Sequence, residues 1–253
     1  MDLPKNHFKA ALKQGRQQIG MWCTLAGGAY AEMLAACGYD WIVLDTEHAP
    51  LGLQDVHAML QAMAPYPVSP IVRPGWNDPV EIKRLLDIGV QSLLIPYIQN
   101  VEEAKRAIAA VRYPPEGMRG VAGMTRASRY GLVPDYYRKA ADEICLLLQI
   151  ETQTALSEIE AIAALDGVDG IFVGPADLGA SMGHLGNFGE PTVRRTVIDA
   201  IRRISAAGKP AGIVMLDPDM LAEAIDAGTL FTAIGIDSVV ITSALRDLRG
   251  RYA

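Results

Sequence analysis

Eight short apolar runs, with stretches of helical period between them, constrain the fold of this chain more than any other feature. They occupy residues 19–24, 41–45, 68–73, 92–96, 144–151, 170–174, 211–216 and 238–242. Each run is near-continuously apolar rather than alternating, the pattern of parallel strands covered on both faces. The intervening segments carry the other period. Val56, Met59, Leu60 and Met63 fall at i, i+3, i+4 and i+7, and Val193, Val197, Ile198, Ile201 and Ile204 form a second stripe. Asp78-Pro79 followed by Glu81 predicts an N-cap, a proline at the first helical position and a capping-box acid, and Asp217-Pro218 repeats the cap-then-proline order. Gly38, Gly89, Gly208 and Gly228 stand where helices should end. Strand–helix alternation repeated eight times predicts an α/β protein built as a closed (β/α)8 barrel. A doubly wound open sheet competes, but the eightfold count and the lack of a glycine-rich first turn favour closure.

Two segments break the rhythm. Residues 1–18 predict an N-terminal helix that closes the barrel bottom, and residues 113–131 a long glycine-rich loop carrying Arg119, Arg126 and Arg129. Long ordered loops inside compact domains are usually functional. No internal repeat or linker divides the chain, and 253 residues suit one barrel domain spanning 1–253.

The net charge of −6, without blocks of like charge, argues against nucleic acid and anionic membranes as partners. No apolar stretch reaches membrane-spanning length, and the N-terminus lacks the apolar core of a signal peptide. The three cysteines, Cys23, Cys37 and Cys145, are scattered without zinc-like spacing and read as reduced thiols of a cytoplasmic protein.

In a (β/α)8 barrel the chemistry sits at the carboxyl ends of the strands. Two neighbouring runs end in acids there: Leu148-Gln149-Ile150-Glu151 and Val173-Gly174-Pro175-Ala176-Asp177. Carboxylates pointing into one mouth repel unless a cation lies between them, and oxygen donors suit Mg²⁺ or Mn²⁺ better than a structural zinc. Glu151 and Asp177 are therefore candidate ligands of a divalent metal. Taken singly, each acid could instead cap the helix that follows its strand.

His48 is the one histidine at a strand end, with Asp45 three residues before it. A carboxylate beside an imidazole fixes its tautomer and raises its basicity, as a general base requires. A hydrogen-bonded structural histidine is the alternative, and Glu47 reads equally as a solvated loop charge. Arg73 ends the third run, where a guanidinium would bind a carboxylate or a developing oxyanion, or form a structural ion pair. Asp87 falls in the last turn of the next helix, a position that assigns it no role. The lysines, at 5, 9, 13, 83, 105, 139 and 209, all avoid the carboxyl ends of the runs. A Schiff-base mechanism needs one there, so carbonyl activation would fall to the metal.

Together these strings resemble a known family. Trp-Ile-Val-Leu-Asp-Thr-Glu-His (41–48), Ile-Val-Arg-Pro-Gly-Trp-Asn-Asp-Pro (71–79), Leu-Leu-Ile-Pro-Tyr-Ile-Gln-Asn (93–100), Tyr-Pro-Pro-Glu-Gly-Met-Arg-Gly (113–120), Leu-Gln-Ile-Glu-Thr (148–152) and Val-Gly-Pro-Ala-Asp-Leu (173–178) resemble the HpcH/HpaI class II pyruvate aldolases, in order and over nearly the whole chain. That group includes 4-hydroxy-2-oxoheptanedioate and 2-dehydro-3-deoxyglucarate aldolases.

The resemblance implies metal-dependent cleavage of a 4-hydroxy-2-oxo acid to pyruvate and an aldehyde, using Mg²⁺, Mn²⁺ or Co²⁺. It implies that Glu151 and Asp177 bind the metal, that His48 is the base, that Arg73 stabilises the enolate oxygen, and that Asp87 raises the basicity of the histidine. Gln149, Gly174, Pro175 and Ala176, beside Asp177, would contact the keto acid; Trp22 and Leu216 would line the aldehyde side. It further implies a homohexamer whose last helix, 243–253, packs on a neighbouring barrel through Leu245, Leu248 and Tyr252. Substrate preference is expected from residues 121–130, around Met124 and Thr125. The three loop arginines are left between a distal substrate carboxylate, in the same or a neighbouring subunit, and interface ion pairs. A CoA-thioester lyase of the citrate-lyase β-chain type and a non-catalytic keto-acid-binding barrel are the alternatives.

Overall fold

The computed structural model describes residues 1–187 and 189–252. Eight parallel strands pair in sequence order and close, β8 returning to β1. They are β1 (Gln18–Cys23), β2 (Trp41–Asp45), β3 (Ser69–Arg73), β4 (Ser92–Ile95), β5 (Cys145–Ile150), β6 (Gly170–Val173), β7 (Ala211–Val214) and β8 (Thr229–Ile236). The helices are α1 (His7–Lys13), α2 (Gly28–Ala35), α3 (Leu53–Met63), α4 (Pro79–Asp87), α5 (Val101–Val111), α6 (Tyr136–Lys139), α7 (Gln153–Leu156), α8 (Ile159–Ala163), α9 (Pro175–Ser181), α10 (Pro191–Ala206), α11 (Pro218–Asp226) and α12 (Asp237–Gly250). Among the described residues no helix is long and apolar enough to cross a membrane.

The first seven runs are strands, within one or two residues of the expected bounds. The eighth expectation, 238–242, is corrected: those residues lie in α12, and the strand is Thr229–Ile236. The β-branched run Val239-Val240-Ile241 reads as a strand by composition, yet Val239 and Val240 are half exposed on the helix. The true strand hides its apolar character behind Thr229, Thr232 and Gly235. Here pairing with β1 and β7 overrides local propensity.

Strand periodicity divides the core in two. Outward-facing residues such as Ile42, Leu44, Leu146, Leu148 and Ile150 pack under the helices, together with the predicted stripes of α3 and α10. Inward-facing residues fill the lumen: Trp41 and Val43 of β2, Ile71 of β3, Leu94 of β4, Cys145 and Leu147 of β5, Phe172 of β6 and Phe231 of β8.

At the amino end of the barrel α1 inserts Phe8 against Trp41 and Phe231, with ring centroids 6.0 and 5.8 Å away. The bottom is thus plugged by aromatic side chains, as expected for residues 1–18. Asp78 caps α4 by accepting from the backbone of Val80 and Glu81, and Asp217 caps α11 by accepting from Met220. Glu81 reaches back to the Gly75 amide rather than to its N-cap.

The plug depends on two lumen glycines. A Cβ on Gly20 would collide with the Trp41 indole, and one on Gly212 with the Phe231 ring. Gly20→Ala is expected to lower the unfolding free energy by about 1–3 kcal/mol through overpacking, measured by urea titration. A variant as stable as the parent would show that the plug is loosely packed.

Candidate active site

The same alternation that fills the lumen lifts the next inward position of each strand into the mouth. Counting by twos from the lumen residues gives Trp22, Asp45, Arg73, Gln149 with Glu151, Gly174, and Val214 with Leu216. Apart from Asp45, all of these line one cavity of about 690 Å³ at the carboxyl end, joined by His48, Pro175, Ala176 and Asp177. A larger groove of about 780 Å³ opens near the amino end around Lys9, Arg112, Tyr113 and Lys209. Position rather than size identifies the site, because the mouth lies at the carboxyl ends of the strands, where Glu151, Asp177, Arg73 and His48 share one cavity.

Arg73 is the fixed point. Its Nε and Nη2 donate to the two oxygens of Asp45 at 2.9 and 2.7 Å, and its Nη1 lies 2.9 Å from Glu47 Oε2. The guanidinium also stacks over the Trp22 ring at 4.7 Å, while Trp22 Nε1 donates to Asp45. Burial alone would raise the Asp45 carboxyl, but the Arg73 charge and these hydrogen bonds outweigh it and hold it below the usual carboxylate range.

Asp45 therefore faces Arg73 rather than the His48 imidazole, which corrects the expected Asp45–His48 pairing. Asp45 touches the His48 segment only by accepting its backbone N–H, and that of Glu47. Glu47 is the carboxylate nearest the imidazole, 3.8 Å from Nε2, with the His48 side chain itself 65% exposed at the rim. Glu47 is no solvated loop charge. Burial pushes its carboxyl up, opposed by Arg73 and His48 and reinforced by the charges of Asp45 and Asp177. The signal for it was available, since three acids or bases in Asp-Thr-Glu-His follow one strand end.

Neither Glu151 nor Asp177 caps a helix. Thr152 is the N-cap of α7, its hydroxyl accepting from Ala155, and the cap position of α9 is Gly174, which has no side chain to offer. Glu151 is buried and instead accepts from Gln149 Nε2 at 2.6 Å and from the Tyr97 amide at 2.8 Å. Tyr97 holds a left-handed backbone (φ 55°), a conformation of sparse population for a non-glycine residue that turns its N–H toward Glu151. The sequence offered no sign of this strut. A Cβ on Gly174 would come 2.5 Å from Glu151 Oε2, so glycine keeps that space open.

Burial pushes the Glu151 carboxyl up to about 7, against the Gln149 and Tyr97 hydrogen bonds and helped by the charges of Asp177 and Glu47. Gln149 Oε1 is buried beside it without a partner. Among the described residues no three His, Cys, Asp or Glu side chains converge as a complete metal site. Two carboxylates, a spare amide oxygen and open space nonetheless fit a hard cation that keeps water and substrate in its remaining positions.

Two expectations fall outside this cavity. Asp87 ends α4, nine residues and about 13 Å of helix away from the mouth, and pairs with Arg119 at 3.2 Å. It does not reach the His48 of its own chain, because barrel helices run back from the mouth to the amino end. The loop 113–131 likewise joins α5 to β5 at that amino end. Arg119 is fully buried there, stacked on Tyr113 at 4.6 Å, and Arg126 donates to the Ile88 carbonyl at the end of α4. Met124 is exposed on the same loop, so within one chain the loop does not contact the cavity.

The raised Glu151 carboxyl has a consequence for stability. Between the ordinary carboxylate range and about pH 7 the metal-free native state holds a proton that the unfolded chain has lost. Native stability therefore falls as pH rises through that window. Without added metal, Glu151→Gln is expected to gain on the parent by about 2–3 kcal/mol between pH 5 and pH 8, read from urea unfolding at both pH values. A constant difference between the two proteins would place the carboxyl at its ordinary value.

Comparison with known proteins gives concordant matches. The HpcH/HpaI aldolase/citrate lyase family model matches residues 18–244. The chain is 56% identical, over the full length of both proteins, to a pyruvate aldolase of Rhizobium etli. It is 50% identical to a 4-hydroxy-2-oxo-heptane-1,7-dioate aldolase of Salmonella typhi, covering 98% of this chain and 95% of that one. The crystal structure of an HpcH/HpaI aldolase/citrate lyase family protein from Burkholderia cenocepacia superposes with a TM-score of 0.94 at 35% identity, covering 98% of this chain and 99% of the other. The closed barrel, the acids at its mouth and these matches agree: the chain belongs to the HpcH/HpaI aldolase/citrate lyase family.

Proposed function

We propose that this chain is a divalent-metal-dependent pyruvate aldolase, an aldehyde-lyase that reversibly cleaves 4-hydroxy-2-oxo acids to pyruvate and an aldehyde. The observation that carries this reading is the convergence of Glu151, Asp177, Arg73 and His48 on one cavity lined, among the described residues, by no lysine. Breaking the C3–C4 bond leaves an electron pair beside a carbonyl. A Schiff base would need a lysine amine to absorb it, so the cavity must stabilise an enolate by charge. Relatives named as pyruvate and 4-hydroxy-2-oxo-heptane-1,7-dioate aldolases support the same chemistry.

Glu151 and Asp177 would hold the cation, Mg²⁺, Mn²⁺ or Co²⁺. When bound there it supplies a Lewis acid for the oxygens of the keto acid. Arg73 has five donor hydrogens and donates two of them to Asp45, with its Nη1 lying 2.9 Å from Glu47 Oε2, so donors remain for the enolate oxygen. Asp45 and Trp22 hold it in place, so little reorganisation accompanies charge development. His48 takes the proton of the C4 hydroxyl as the bond breaks, the enolate then takes a proton at C3 to give pyruvate, and aldol addition reverses both transfers. Glu47 stabilises the imidazolium that results.

Gln149, Gly174, Pro175 and Ala176 border the keto acid, and Trp22 and Leu216 the aldehyde. Asp87 can act on His48 only from a second copy of the chain. The exposed Leu245, Leu248 and Tyr252 of the C-terminal segment support a homohexamer in which α12 covers a neighbouring barrel; Ala253, included in the expected helix, lies outside the described residues. All three cysteines are free thiols, in keeping with the cytoplasm.

The reading is tested by a pyruvate-release screen over 4-hydroxy-2-oxo acids with Mg²⁺, Mn²⁺ and Co²⁺. Glu151→Ala and Asp177→Ala are expected to lose both metal binding and turnover. His48→Ala should keep metal binding and lose about 10²–10⁴-fold in cleavage rate. Full activity after chelation would exclude the metal, and covalent inactivation by borohydride with pyruvate would restore a lysine mechanism.

A further inference from the structure

We propose that Tyr97 is a positioning residue for the metal site: its backbone N–H sets the orientation of the Glu151 carboxylate, and Trp76 and Gln99 hold Tyr97 in the left-handed turn that aims it. This deepens, and rests on, the reading of Glu151 as a metal ligand. Every contact involved is made within one barrel. Trp76, Tyr97 and Gln99 do not line the cavity, so each acts through Glu151 and not on the substrate.

A glutamate side chain rotates about several bonds, and a carboxylate that must meet Asp177 across one cation needs its orientation fixed from outside. Both Glu151 oxygens are held. Oε2 accepts from Gln149 Nε2 at 2.6 Å, and Oε1 from the Tyr97 amide at 2.8 Å. The two supports differ in kind. Gln149 stands on the same strand end as Glu151 and moves with it. Tyr97 follows β4, which pairs with β5 on the side away from β6, and the end of β6 leads to Asp177. The amide thus fixes Glu151 from the flank opposite its partner ligand.

The φ of 55° turns the chain at Tyr97, so that its N–H faces Glu151 while the next residue, Ile98, is already buried beneath the helices. Among the described residues the other non-glycine positions with positive φ are Arg129, Tyr130 and Asp135, all in the amino-end connection between α5 and β5. A tyrosine lacks the short polar side chain that eases Asn and Asp into this region, so its surroundings must hold it there. Contacts on both sides do so. Ile98 donates to the Gln149 carbonyl at 3.0 Å. The Gln99 side chain accepts from the Thr152 hydroxyl at 2.5 Å and donates back to the Tyr97 carbonyl at 3.4 Å. From the other side the Tyr97 ring stacks on Trp76, with centroids 5.6 Å apart and planes inclined by 31°. Trp76 lies three residues after Arg73, so the stack ties the segment that carries the guanidinium to the one that braces the metal ligand. Both rings are exposed, and their packing adds little to the core.

The test titrates the metal-free full chain with Mn²⁺ and reads the free ion by electron paramagnetic resonance. Trp76→Ala and Gln99→Ala are each expected to raise the Mn²⁺ Kd by about tenfold, as loss of a group supporting a metal ligand does. Trp76→Phe keeps an aromatic face and should keep the parent Kd. In a Tyr97→Gly background, where no ring remains to stack and glycine adopts the turn freely, Trp76→Ala should cost nothing further. An amide-to-ester replacement at Tyr97, which deletes the N–H alone, should raise Kd by at least as much as Trp76→Ala. A parent Kd in the ester protein, or in both alanine variants, would overturn the proposal, as would a loss from Trp76→Ala that persists undiminished beside Tyr97→Gly. If the parent protein itself binds no Mn²⁺, the metal reading beneath the proposal fails instead.

Discussion

The site depends on an imbalance of charge that the barrel imposes. Asp45, Glu47, Glu151 and Asp177 gather at one mouth around a single committed guanidinium, Arg73. Such an arrangement can settle in two ways. A carboxyl can retain its proton, as Glu151 does when burial lifts it to about 7. Alternatively a cation can take the proton's place, which converts the cost of crowding acids into affinity for metal. The strain is placed where an enolate must later be stabilised.

Holding acids this close requires rigid supports, and each comes from a different part of the chain. Arg73 is clamped by Asp45 and Trp22 from the two preceding strands. Glu151 is braced by Gln149 on its own strand and by the left-handed turn at Tyr97 after β4. Ile98 donates to the Gln149 carbonyl, and the Thr152 hydroxyl to Gln99, so the loop after β4 is stitched to the end of β5. At the other end the aromatic plug of Phe8, Trp41 and Phe231 closes the lumen, leaving the mouth as the way in.

Much of this was legible in the sequence because parallel strands write their burial directly as apolar runs. The carboxyl ends of those runs then marked Arg73, Glu151 and Asp177 as candidates for one mouth without knowledge of any contact. The eighth strand was illegible because helix α12 carries the β-branched residues and Thr229–Ile236 the polar ones; only closure against β1 decides between them. Side-chain orientation was equally hidden. Asp45 sits three residues before His48 in sequence but turns to Arg73, whereas Glu47, which reads as a loop charge, lies beside the imidazole. The strut from Tyr97 is a backbone amide, to which side-chain chemistry gives no clue. Asp87 and the arginine loop could not be placed from strand ends: Asp87 closes a helix and the loop follows one, so both lie at the amino end of their own barrel.

The central claim is that Glu151 and Asp177 grip one divalent cation between them. A crystal grown with Mn²⁺ and pyruvate, recorded near the manganese absorption edge, examines it most directly. The account predicts one anomalous peak within about 2.0–2.3 Å of an oxygen from each side chain, with pyruvate completing the coordination. A peak elsewhere, or those two side chains turned away from it, would contradict the account.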